Sequence, residues 1–207
     1  MKVNTQDPKF QVRSPFVFVK RLPEETCTPG GLILPDEQDF RNRKCVVVAT
    51  HAGRKLEDGS VVRCLVSPGA TIELIIFDNM TKVNDQLDKE MEIAHEKDIL
   101  AYYDDSREFP LVPLEGRVVV KKVESEDRTK GGLWLPDMVK VESNTGVVVA
   151  TGEGRVNNDG TREPVEVQPR DKVLFTKYQG VDVKIAGEKY AILSGNDVLA
   201  VFGNDDE

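Results

Sequence analysis

This chain of 207 residues has no apolar run approaching the ~18–20 residues of a membrane-spanning helix, and its first residues, Met1-Lys2-Val3-Asn4-Thr5-Gln6-Asp7, show no apolar signal region. Lysine and arginine form no block and the net charge is −8, so the basic footprint that phosphate backbones and anionic lipids require is missing. Aromatic residues make up only 6% of the chain, too few for a base-stacking platform. Neither nucleic acid nor membrane is an expected partner. The three cysteines, Cys27, Cys45 and Cys64, are odd in number, which argues against a disulfide framework and for a reducing, cytoplasmic setting. Their spacing is not that of a zinc site and no histidine stands at ligand spacing, so no metal is expected. A G-x-x-x-x-G-K-[ST] phosphate loop is absent; Gly152-Glu153-Gly154 has Asn157 where a dinucleotide motif needs its third glycine, and it reads as a hairpin turn. His51 and His95 have no recurring acid or nucleophile beside them and read as core or surface histidines. No catalytic residue and no cofactor emerge, and an enzyme is not expected.

What the chain does have is a repeat. Residues 15–68 read again at 116–169 with an offset of 101 and no gap, and 22 of the 52 positions from Val17 to Pro68 are identical in the partner copy. Val46-Val47-Val48-Ala49-Thr50 recurs as Val147-Val148-Val149-Ala150-Thr151, and Gly30-Gly31-Leu32-Ile33-Leu34-Pro35-Asp36 as Gly131-Gly132-Leu133-Trp134-Leu135-Pro136-Asp137. The cysteines belong to copy one alone; copy two has Arg128, Gly146 and Val165 in their places. Two domains follow, at residues 14–103 and 113–202, with a tail at 1–13, a linker at 104–112 and an acidic tail at 203–207. Each domain lies near the lower size for an independent core, so contacts between the copies should carry part of the stability.

Apolar segments are short, rich in Val, Ile, Leu and Phe, and bounded by Gly, Pro, Asp or Asn, which is the pattern of brief strands. Strands are expected at residues 16–22 and 117–123, 45–50 and 146–151, and 71–77 and 172–175. Closing pairs should end at residues 98–101 and 197–200, where the offset between copies has become 99. Asp58-Gly59 and Asp159-Gly160 suit tight hairpin turns, because glycine tolerates the positive φ that such turns need. Both domains read as all-β, each a small barrel.

Residues 24–31 and 124–132 lack any apolar period and read as mobile loops, yet each leads into an apolar tripeptide closed by proline. Such a tripeptide is either a strand entering the core or an exposed docking peptide. The second copy, from Pro113-Leu114-Glu115-Gly116-Arg117-Val118-Val119-Val120 through Gly131-Gly132-Leu133-Trp134-Leu135-Pro136 to Asn196-Asp197-Val198-Leu199-Ala200-Val201, resembles the co-chaperonins of the GroES, or chaperonin-10, type. The tandem arrangement is similar to the double-domain co-chaperonins of chloroplasts, which leaves the plastid stroma as an alternative location.

That resemblance implies two tandem GroES-like β-barrels, each with a mobile loop and a roof hairpin. It implies that Gly30, Gly31, Leu32, Ile33 and Leu34, with Gly131, Gly132, Leu133, Trp134 and Leu135, bind a GroEL-type chaperonin ring. The hairpins at Asp58-Gly59 and Asp159-Gly160 fall where the family has the roof of its dome, and Tyr178 falls near a segment that faces the dome interior. The expected role is a lid that self-associates into a ring and encloses unfolded substrate protein, assisting ATP-dependent folding while its partner turns over the nucleotide. The family's ring is sevenfold, whereas chains of two domains supply even numbers. A diverged barrel pair that assembles as a scaffold without a chaperonin is the alternative. Asp78-Asn79-Met80-Thr81 in copy one departs from the family's pattern.

Overall fold

The computed structural model describes residues 11–22, 42–75, 91–123, 144–176 and 180–202. They form two copies of one all-β design. Copy one contains β1 (Phe16–Arg21), β2 (Asn42–Thr50), β3 (Arg54–Lys55), β4 (Val61–Val62), β5 (Thr71–Ile75), β6 (Met91–His95) and β7 (Ile99–Tyr103). Copy two begins with β8 (Leu111–Pro113) and continues with β9 (Arg117–Lys122), β10 (Thr145–Thr151), β11 (Arg155–Val156), β12 (Arg162–Glu163) and β13 (Lys172–Phe175). It closes with β14 (Val181–Ile185), β15 (Glu188–Ser194) and β16 (Val198–Phe202). Asp98 and Asp197, expected within the closing strands, instead end single 3-10 turns at Glu96–Asp98 and Gly195–Asp197, and the strands start immediately afterwards.

The strand orders, β6-β1-β2-β5-β7-β8 and β14-β15-β9-β10-β13-β16, are one pattern in two frames. β1 and β9 correspond, as do β2 and β10, β5 and β13, β6 and β15, and β7 and β16. A bulge recurs at the same place: the register slips opposite Val48 between β1 and β2, and opposite Val149 between β9 and β10. An extra residue there bends the strand and lets a short sheet curl into a barrel.

Alternation puts Val17 and Val19 of β1 in the core of copy one, with Cys45, Val47, Ile72, Leu74 and Ile99. In β9 the matching Val118 and Val120 enter the core of copy two, beside Val148, Val173 and Phe175. Val119 between them is buried as well, but on the opposite face. There it packs with Leu100, Ala101 and Leu111 in a third cluster, drawn from both copies. The outer face of copy two is thus a buried interface with copy one. Phe18, at the same place in copy one, is half-buried.

A charged side chain lies within the sheet of copy one. Glu73 on β5 is buried, and the Tyr103 hydroxyl donates to its Oε1 at 2.6 Å, while Lys44 Nζ sits 4.0 Å from the centre of the Tyr103 ring. Burial pushes the Glu73 carboxyl above its ordinary range, against the hydrogen bond from Tyr103 and the charge of Lys44. Copy two has Leu174 and Phe202 at the two positions, so the same strand pair also exists in apolar form. Replacing Glu73 alone by Leu removes the acceptor of the Tyr103 hydroxyl and should cost about 1–3 kcal/mol. The double change Glu73→Leu, Tyr103→Phe should recover most of that loss, as read from denaturant midpoints in a double-mutant cycle. Because the folded-state pKa of Glu73 is raised, its contribution is full at pH below its ordinary 4.5 and is lost as pH rises through the folded value. The double variant should therefore lose less stability than the parent as pH rises through that range.

Candidate functional site

β2 and β10 set the geometry of each copy. The span carrying the first apolar tripeptide runs from the end of β1 to the start of β2, two adjacent antiparallel strands in which Arg21 faces Cys45. The second runs likewise from β9 to β10, where Lys122 faces Gly146. The hairpins β3–β4 and β11–β12 follow the other ends of β2 and β10. Tripeptide span and hairpin are therefore attached at opposite ends of a strand of nine residues in copy one, roughly 25 Å apart at the strand's rise. Of the residues that the resemblance assigns to chaperonin docking, Gly30 to Leu34 and Gly131 to Leu135 lie outside the described residues, as does Tyr178.

The four hairpin residues are described, and the two turns have the same form. Gly59 and Gly160 both have φ of 85°, and the preceding aspartates fold over the turn. Asp58 Oδ1 accepts from Ser60 N at 2.8 Å, and Asp159 Oδ1 from Thr161 N at 2.9 Å. The side-chain hydroxyls of Ser60 and Thr161, followed by these amides, hold the two exposed carboxyls below the usual range. The hairpins also touch each other. Arg54 of copy one donates to Asn158 Oδ1 at 2.9 Å and to the Val156 carbonyl at 3.3 Å, and Glu57 N donates to the Asn158 carbonyl at 3.2 Å. At the base of each hairpin, Gly53 and Gly154 have φ of 141° and 94°. A Cβ on Gly53 would lie 2.8 Å from the Val62 carbonyl oxygen, and one on Gly154 would strike the Glu163 carbonyl, so both positions admit only glycine.

The junction between the copies is a strand pair. β8, the leading segment of copy two, completes the sheet of copy one by pairing with β7, with Ala101 opposite Pro113, Tyr102 opposite Val112 and Tyr103 opposite Leu111. Leu114 N adds a bond to the Leu100 carbonyl at 3.0 Å, and the Arg117 guanidinium donates to the Lys97 carbonyl at 2.6 Å. Among the described residues, β16, the counterpart of β7, has no strand on its outer side. The consequence is plain at one pair of residues: Leu100 is 3% exposed and Leu199 is 62% exposed. Val201 and Phe202 are exposed beside it.

The structure also assembles a group that sequence spacing gave no reason to expect. His51, just after β2, Cys64, after β4, and Glu96, in the 3-10 turn, bring a ring nitrogen, a thiol and a carboxylate oxygen within 4.8 Å of one another. His51 Nε2 lies 3.2 Å from Glu96 Oε2, and Leu65 N donates to Glu96 Oε1 at 2.7 Å. The sequence separations, 13 residues between His51 and Cys64 and 32 between Cys64 and Glu96, follow no motif; only the barrel joins them. A comparison of the copies would have marked them, because copy two has Gly152, Val165 and Gly195 at these places.

Two small β-barrels in tandem, joined where β8 of copy two pairs with β7 of copy one, have the form of a double co-chaperonin. Residues 14–103 and 110–202 each match the Cpn10 family, the chaperonin 10 kDa subunit, and the chain belongs to that family. It is 47% identical over 93 residues to the co-chaperonin GroES of Coprothermobacter proteolyticus, covering 45% of this chain and 95% of that protein. To the co-chaperonin GroES of Leifsonia xyli subsp. xyli it is 48% identical over 89 residues, 43% of this chain and 91% of the relative. To that of Thermus thermophilus it is 52% identical over 89 residues, 43% of this chain and 88% of the relative. One copy of the repeat thus spans nearly a whole relative. Replacing Gly154 by alanine should lower stability by about 1–3 kcal/mol through its positive φ and the blocked Cβ. Thermal denaturation should register that loss, whereas alanine at the open surface position Asp105 should change the midpoint little.

Proposed function

We propose that this chain is a lid for a GroEL-type chaperonin ring, docking through Leu32-Ile33-Leu34 and Leu133-Trp134-Leu135 and closing a chamber around unfolded substrate protein. The observation that carries this reading is the double match to the Cpn10 family in one chain. Nucleotide hydrolysis belongs to the partner. Burying an apolar side chain contributes about 1.5–3 kcal/mol, and ordering a loop residue costs about 1–2 kcal/mol, so a single tripeptide binds weakly. Several tripeptides on one assembly raise the effective concentration, and the lid holds while each contact stays reversible. The relatives are bacterial, and Cys45 and Cys64 are free thiols, which supports a cytoplasmic location.

The chain assembles head to tail. The β7–β8 pair supplies the template: the bare edge of β16 receives the leading segment of the next chain, in which Phe10-Gln11-Val12 stands at the position of Leu111-Val112-Pro113. Covering Leu199, Val201 and Phe202 removes an exposed apolar edge that is otherwise a site for indiscriminate pairing. Three chains give six domains and four give eight, so the ring does not match a sevenfold partner one to one. The roof hairpins follow the ends of β2 and β10 opposite to those at which the tripeptide spans are attached.

Leu199→Asp should leave the chain folded and split the assembly into single chains, read by native mass spectrometry. A parent chain that is monomeric at micromolar concentration and still active as a lid would contradict the assembly. Replacing Leu133 and Leu135 by Asp should abolish the effect of the chain on a chaperonin's ATPase, with circular dichroism unchanged. The same change at Leu32 and Leu34 should weaken the effect less, because copy two follows the family pattern more closely. A parent chain that forms rings without altering chaperonin ATPase would favour a scaffold instead. Trp134 fluorescence should shift to the blue on docking; a Trp134 already shielded from quencher in the free chain would place the tripeptide in the core and end the docking assignment.

A further inference from the structure

We propose that copy one holds a binding site for a single borderline-soft divalent cation of the zinc type, formed by His51, Cys64 and Glu96. The site is built from three separate elements and shares no residue with the docking tripeptides or the β16 edge. Imidazole, thiolate and carboxylate are the donors that zinc takes in four-coordinate sites. The 3.2 Å between His51 Nε2 and Glu96 Oε2 is close to the separation of about 3.3 Å that two ~2.05 Å bonds at a tetrahedral angle impose.

The His51 side chain is 1% exposed, and its Nε2 faces Glu96 Oε2 rather than solvent. Copy two fills the same space with Gly152, Val165 and Gly195, so the barrel does not need polar groups here. Three simultaneous differences at three distant positions converge on one donor set. Cys64 is half-buried and its thiol is pushed up to about 12, first by burial and also by its hydrogen bond to Glu96, so without an ion it remains a thiol and a poor nucleophile. A cation displaces that proton to solvent and binds the thiolate, while the imidazole binds neutral and the carboxylate supplies the third ligand.

Glu96 also lines a cavity of about 130 Å³ between the copies, together with Leu65, Arg54 and Glu115. His51 also bridges to Val12, so an ion at this site stiffens the place where the leading segment of the chain meets copy one.

The test is a Co²⁺ titration of the full chain after removal of metal by a chelator. The expected result is a sulfur-to-cobalt charge-transfer band saturating at one ion per chain, reversed by Zn²⁺. It should be lost in Cys64→Val, which installs the copy-two residue, and retained when Cys27 and Cys45 are both replaced by alanine. His51→Asn should weaken binding by more than the ~10–100-fold that a merely supporting residue costs. Absence of the band in the parent chain, or its survival in Cys64→Val, overturns the site. Should Cys64→Val fail to fold, alkylation of the parent decides: slower modification of Cys64 with Zn²⁺ supports the site, and an unchanged rate overturns it.

Discussion

The pairing of β7 with β8 is the contact on which the architecture depends. It places the first residues of copy two at the edge of the sheet of copy one, so that the described sheet of copy one is completed by copy two. Three ladder positions are few, but they bring Leu111 into a cluster with Leu100, Ala101 and Val119, all buried. That cluster is why β9 is buried on both faces, whereas β1, its repeat partner, leaves Phe18 partly open. At β16, the counterpart of β7, no strand among the described residues pairs on the outer side. An exposed strand edge is ordinarily blunted by charge, proline or a bulge. Val198-Leu199-Ala200-Val201-Phe202 offers no charge and no proline, which suits a surface that assembly covers.

The two copies share a frame but divide its chemistry. Polar groups inside the frame are concentrated in copy one, as the set around Glu73 and Tyr103 and as the set of His51, Cys64 and Glu96. Copy two has Leu174, Phe202, Gly152, Val165 and Gly195 at the matching places, mostly apolar or without a side chain. Buried polar groups contribute little net stability even when satisfied, and an unsatisfied one is costly. Among the described residues, the buried polar or charged side chains His51, Glu73 and Asp98 all fall in copy one, a difference between the domains that the shared strand order conceals.

Much of the fold was legible because it rests on local rules. The offset of 101 exposed the repeat, alternation located β1 and β9, and Asp-Gly marked both hairpins, where the glycines do adopt positive φ. The Cpn10 family was equally readable from the glycine pairs and the tripeptides. Other features needed three dimensions. β8 is three residues ending in proline, Leu111-Val112-Pro113, and such a run reads as linker until its partner strand is known. Asp98 and Asp197 fell in 3-10 turns because the chain must change direction before the last strand, a demand of barrel closure that no alternation pattern carries. His51 meets Glu96 across 45 residues, beyond the reach of any spacing argument.

The central claim is that the edge left bare at β16 is filled by the leading segment of another chain. Tyr102 faces Val112 within the chain, and the equivalent positions at the open ends are Val201 and Gln11. Facing residues of an antiparallel pair have Cα atoms about 4.5–5.5 Å apart, within the reach of a disulfide. In a chain whose three native cysteines have been replaced, Gln11→Cys with Val201→Cys should oxidise to a ladder of covalent multimers on a denaturing gel, collapsing to one band on reduction. Oxidation that yields only single chains, under conditions where a Tyr102→Cys, Val112→Cys pair closes fully, would contradict the account.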